Sequence, residues 1–184
     1  MKILIITLLL FSISCSKNNP EEPTGQPPTP IDTINHIIGL GKASVLRNGV
    51  LWNAAFKADY HTNDKKRISI VGKLKQNGFD HSFSIDDISC TVGLHPLERW
   101  NLWNLSNGIP DADYFIVLDG DQLLNTYSID STLNNQYIEI LYYDSINHIV
   151  EGRFQTFLEG PNSWSMFPDS MKMTEGKFHL KLKE

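Results

Sequence analysis

The sequence predicts an all-β fold: an antiparallel meander of about nine or ten strands closing as a sandwich or partly open barrel, preceded by a disordered Pro-rich spacer. Three observations predict it. Period-two alternation of apolar and polar residues recurs through the chain after residue 43, while helical periodicity is nearly absent. The dipeptides Asn48-Gly49, Asn77-Gly78 and Asp119-Gly120 punctuate the alternating runs, and such pairs supply the positive φ that tight β-turns need. Five of the nine prolines fall between Pro20 and Pro30 among Glu, Gln, Thr and Gly, a stretch with too little apolar surface to order itself.

The elements follow in order. Ala43–Arg47 and Val50–Trp52 flank Asn48-Gly49 as a hairpin, and the alternation places Trp52 in the core. Ile68, Ile70, Gly72 and Leu74 share one strand face, with Arg67, Ser69 and Lys73 opposite; Lys65-Lys66-Arg67 read as the solvated start of that strand. Past Asn77-Gly78, Phe79, His81, Phe83 and Ile85 line one face of the next strand. The pattern weakens from Leu94 to Gly108, where Pro96, Trp100 and Trp103 suggest a long ordered loop with one helical turn starting at Pro96. Tyr114–Leu118 is a short β-rich run closed by Asp119-Gly120-Asp121. Gln136–Tyr143 and Ile149–Leu158 are long strands. In the last strand Gly176, Phe178, Leu180 and Leu182 face inward and Lys177, His179, Lys181 and Lys183 outward, charges that would protect the strand at a sheet edge.

Upstream of this domain the chain carries an address. Met1-Lys2, the apolar run Ile3–Phe11 and Ser12-Ile13-Ser14-Cys15 have the layout of a secretory signal peptide, and the run is too short to span a bilayer core of roughly 30 Å. With Cys15 at the cleavage point, the segment resembles a bacterial lipoprotein signal, although Ser12 stands where an aliphatic residue is usual. The resemblance implies that Cys15 becomes the first mature residue and carries acyl chains such as palmitate. An ordinary cleaved signal is the alternative. The expected organisation is a signal peptide over 1–14, a lipidated Cys15 and spacer over 15–38, and one β-domain over 39–184. The spacer, extended at about 3 Å per residue, would hold the domain clear of the headgroups.

Composition narrows the function. Without residues 1–14, 170 residues remain, with 15 basic against 21 acidic side chains. That acidic balance argues against nucleic acid, whose phosphates need clustered Lys and Arg. It also gives no electrostatic attraction to anionic lipid, so the acyl chains on Cys15 must supply the membrane affinity. Cys90 is then the one remaining thiol and reads as a small buried hydrophobe.

No set of residues announces catalysis. Asp86-Asp87, Asp111-Ala112-Asp113 and Asp119-Gly120-Asp121 could supply the facing carboxyls of a glycosidase, but all three read as turn sequences in which Asp bonds its own backbone. The same acids could ligate calcium; Asp111, Asp113, Asp119 and Asp121 instead flank one five-residue strand and fall at its opposite ends. The six histidines lack the spacing that gathers metal ligands. The expectation is therefore no catalytic residue, no metal and no cofactor. Trp100, Trp103 and Trp164 lie in loops, where they would either plug the ends of the fold or form a platform for a glycan or protein partner.

Gly41-Lys42-Ala43 with Asn48-Gly49-Val50-Leu51-Trp52, Tyr137-Ile138-Glu139-Ile140 with Tyr143-Asp144, Gly152-Arg153-Phe154 and Thr174-Glu175-Gly176-Lys177-Phe178 are similar to small Bacteroidetes-type surface lipoproteins. That group carries a β-rich domain of unknown function. The resemblance spans most of residues 38–184, rests on strand and turn patterns, and brings no assigned catalytic residues. It implies an outer-membrane lipoprotein exposed at the cell surface, with a periplasm-facing location as the alternative. The sequence thus reads as a non-enzymatic, lipid-anchored binding or accessory module. An exported hydrolase and a structural subunit of an envelope complex are the rival readings.

Overall fold

Asn48 and Gly49 adopt φ of 50° and 79°, the two positive values a two-residue hairpin loop requires, and they close β1 (Lys42–Arg47) onto β2 (Val50–Leu51). A computed structural model describes residues 36–62, 64–100, 108–161 and 166–183. After the first hairpin come β3 (Ala55–His61), β4 (Asp64–Gln76) and β5 (Phe79–Ser89), the last two joined at Asn77-Gly78, again with both φ positive. Then follow β6 (Gly93–Pro96), β7 (Asp111–Leu118), β8 (Gln122–Ile129), β9 (Tyr137–Asp144), β10 (Ile149–Glu159) and β11 (Ser170–Lys183).

The eleven strands lie in one sheet in the order β2-β1-β11-β3-β4-β5-β7-β8-β10-β9-β6, and β11 also pairs with β10. The ladder from β11 through β3, β4, β5, β7, β8 and β10 therefore returns to β11. Two of its joints are short. β11 meets β3 in parallel at Leu182↔Ala58 and Lys183↔Asp59, and β10 meets β8 at Leu158↔Ile129 and Glu159↔Ser128. The result is a partly open barrel that reads equally as two leaves joined at two corners, the fold class expected from the alternation. Among the described residues no helix is long and apolar enough to cross a membrane.

Period-two burial builds the core. Ile68 and Ile70, Phe83 and Ile85, Tyr114 and Ile116, Phe154, Phe178 and Trp52 all point inward and are buried. Phe83 of one leaf stacks on Phe154 of the other at 5.5 Å between ring centroids. Phe154 in turn lies over Gly176, where a Cβ would sit 2.6 Å from the ring, so that close approach of strand and ring demands glycine. Polar groups taken inside are bonded in a chain: Arg47 donates to Tyr114 Oη at 2.6 Å, and the same hydroxyl lies 2.9 Å from His81 Nδ1, whereas the buried Trp52 Nε1 has no partner among the described residues.

Several expectations change. His36, Ile37 and Ile38, in the stretch read as spacer, bond to Glu151 of β10 and His179 of β11. Gly93–Pro96 form strand β6 against β9, where the sequence suggested loop and a helical turn. β11 is no edge strand: β10 pairs along one side of it and β1 and β3 along the other. His179, on its outward face as the alternation requires, is nonetheless buried beneath residues 36–38.

Candidate functional site

Asp111 and Asp113 do not sit in a turn. They are the first and third residues of β7 and, being two apart, share its outer face while Ala112 and Tyr114 point to the core. The register places Asp86 of β5 opposite Asp111, Ser84 opposite Asp113, and Ser128 of β8 opposite Asp113 on its other side. Asp87 takes φ 58°, breaking the alternation of β5 and turning its carboxylate toward Arg67 (3.4 Å) and His61 (3.9 Å). A row of carboxyls thus crosses the outside of one leaf. Only Asp119-Gly120-Asp121 fulfils the turn reading, with φ of 50° and 82° and Asp121 N–H donating to Leu118 O.

Residues 97–100 and 108–110, the described parts of the connection between β6 and β7, lie beside this row. Leu97 N–H donates to Gln136 O at 3.2 Å and Glu98 N–H to Pro110 O at 3.0 Å, fixing the two ends of the connection. Trp100 follows and is 52% exposed. Trp100, Glu98, Arg99 and the acids Asp86, Asp87, Asp111 and Asp113 line a cleft of about 340 Å³. A larger cleft of about 510 Å³ lies nearby, but Gln136, which lines it, has its amide already engaged with Asp130 O, Leu133 O, Thr156 and Phe157 N–H. The smaller cleft holds the chemistry.

Its electrostatics are uneven. Arg67 is committed to Asp64 and Asp87, and Arg99 to Glu159 at 2.7 Å, so the acids outnumber the available cations. Burial, then the neighbouring Asp113 and Asp86, raises Asp111 from its ordinary 3.8 to about 7, even though the Ala112 and Trp100 N–H groups bond its carboxyl. Asp113 is raised too, chiefly by burial, against the 2.8 Å hydrogen bond it accepts from Ser128. Near neutral pH the cleft therefore presents one carboxyl, that of Asp111, poised between donor and acceptor.

Of the residues singled out from sequence, Trp100 stands at this cleft; Cys15, Trp103 and Trp164 lie outside the described residues. Asp111 and Asp113 were visible as a pair, but Asp is so common in turns that sequence alone favoured that reading. Cys90 is buried just beyond β5, within 4.0 Å of Lys65 O, with its thiol pushed up by burial. A second cluster escaped sequence reading altogether: His36, Glu151 and His179, with His36 more than a hundred residues from the other two, converge on the other leaf. No protein family, curated protein or solved structure was found to match this chain.

Proposed function

We propose that this chain is a lipid-anchored, extracytoplasmic β-domain that binds a glycan in the Trp100 cleft. The reading joins the lipoprotein-like leader and Cys15 to one observation: a half-exposed indole beside a row of carboxyls on a rigid sheet. The C–H face of a sugar ring stacks on a flat apolar surface while its hydroxyls donate to carboxylates, and this cleft offers both within one span. The resemblance to small surface lipoproteins supports an outer-membrane, cell-surface location. Acyl chains on Cys15 would hold the domain at the membrane.

A glycan array probed with the intact chain in detergent tests the reading. Trp100→Ala should weaken a detected glycan by about 2 kcal/mol, roughly 30-fold, with the melting temperature nearly unchanged. A variant that binds as well as the parent, or one that melts many degrees lower, would remove the platform and leave a structural plug. The raised Asp111 favours a second reading, a hydrolase in which that carboxyl is the acid and Asp113 or Asp86 the second carboxyl. Release of reducing ends from a bound glycan, lost in Asp111→Asn, would establish it.

A further inference from the structure

Glu151 is 2% exposed, yet it lies on a strand face where its neighbours look outward. A carboxylate withdrawn that far from water needs compensation. It comes from across the ladder and from the N-terminal segment. Glu151 pairs in register with His179 of β11, Ile37 N–H donates to one carboxylate oxygen, and His36 Nδ1 lies 2.5 Å from the other. The His36 ring stacks on the His179 ring at 4.3 Å.

His179 carries the decisive detail. Its Nδ1 lies 2.9 Å from Ile38 O, and a carbonyl can only accept, so Nδ1 bears the proton. In the neutral ring the lone pair then sits on Nε2, for which the described residues provide no hydrogen-bond partner. A backbone carbonyl that fixes the tautomer of a buried imidazole is the outer-shell arrangement of metal-bound histidines. One nitrogen from each histidine and one oxygen of Glu151 all lie within 4.8 Å of one another.

We propose that His36, Glu151 and His179 form a binding site for a divalent transition-metal ion, Zn²⁺ being the fitting one. Two imidazoles and one carboxylate suit a borderline cation and not the all-oxygen preference of calcium or magnesium. Tetrahedral ligands around Zn²⁺ stand about 3.3 Å apart, so separations within the set must adjust by up to about 1.5 Å. The movable member is His36, the exposed one of the three, on the segment that leads into β1. His36 and His179 also line a cleft of about 410 Å³ with Tyr142, Asp144 and Asn147, which offers room for water or a ligand as the fourth partner. An ion here would clamp residues 36–38 onto β10 and β11.

The test is competition for Zn²⁺ between the intact chain, in detergent, and a chromophoric chelator. One ion should bind per chain. His36→Ala, which removes the exposed ligand, should weaken binding at least about tenfold, with a thermal melt showing that the variant is folded. Glu151→Gln keeps the shape and the acceptor for Ile37 N–H and should weaken it as much. His61→Ala and His95→Ala, whose histidines lie elsewhere on the surface, should change nothing. Co²⁺ should give the intense visible bands of a tetrahedral site in the parent and lose them in His36→Ala. No saturable one-to-one binding in the micromolar range, or binding that survives both His36→Ala and Glu151→Gln, overturns the proposal and leaves the cluster a hydrogen-bonded latch.

Discussion

Asp111→Asn should flatten the pH dependence of stability. Folding lifts the Asp111 carboxyl from 3.8 to about 7. A group raised on folding contributes its full stabilisation below the unfolded value and loses it as pH climbs through the folded one. From this residue alone, stability should therefore fall between about pH 4 and pH 7. A tenfold change in acidity is worth about 1.4 kcal/mol, which sets a ceiling of about 4 kcal/mol on the effect. Solvent still reaches the cleft, and screening halves that to about 2 kcal/mol. Asparagine keeps an acceptor for Ala112 N–H and removes the titration. Against the parent, the variant should gain about 2 kcal/mol between pH 4 and pH 8, or about 6 °C in melting temperature for a domain of this size. Asp113 is raised by the same surroundings, so the variant curve keeps a shallower slope instead of becoming level. Thermal melts followed by circular dichroism at whole-number pH values measure the difference. Parallel curves for parent and variant would refute the argument, because they would mean that Asp111 ionises as freely folded as unfolded.

Cys15→Ala should release a folded domain into the aqueous phase on detergent partitioning, since acyl chains at about 0.8 kcal/mol per buried CH₂ are the membrane affinity proposed for this chain; unchanged partitioning would discard the lipid anchor. Cys90 should react with a thiol reagent only as fast as the protein opens, because burial both hides the sulfur and disfavours its thiolate. Labelling of the native protein at the rate of a free thiol would contradict that placement.

The alternating runs and their turns were legible because both are local. Asn48-Gly49, Asn77-Gly78 and Asp119-Gly120 need positive φ within two or three residues, and each of them turns the chain as read. Ile68 and Ile70, or Phe83 and Ile85, share a face by the geometry of the strand itself, and each pair is buried. All-β architecture follows from those two signals, as does the inward placement of Trp52.

Partnership between strands carries no such local mark. That β11 lies between β10 on one side and β1 and β3 on the other, and that β8 and β10 meet for only two residue pairs, depend on loop closure over the whole chain. The two candidate sites arise from those pairings. Asp86 meets Asp111 only because β5 and β7 pair around the inserted β6, and this proximity, with burial, is what raises the Asp111 carboxyl. Glu151 and His179 read as ordinary outward residues of alternating strands, since period two separates the faces of a sheet but does not say what covers the outer one. Here residues 36–38 cover it, and burial by a distant segment turns a surface carboxylate and imidazole into a site. Sequence determined which side of each strand a residue takes; the tertiary fold decided which of those sides meet water and which meet one another.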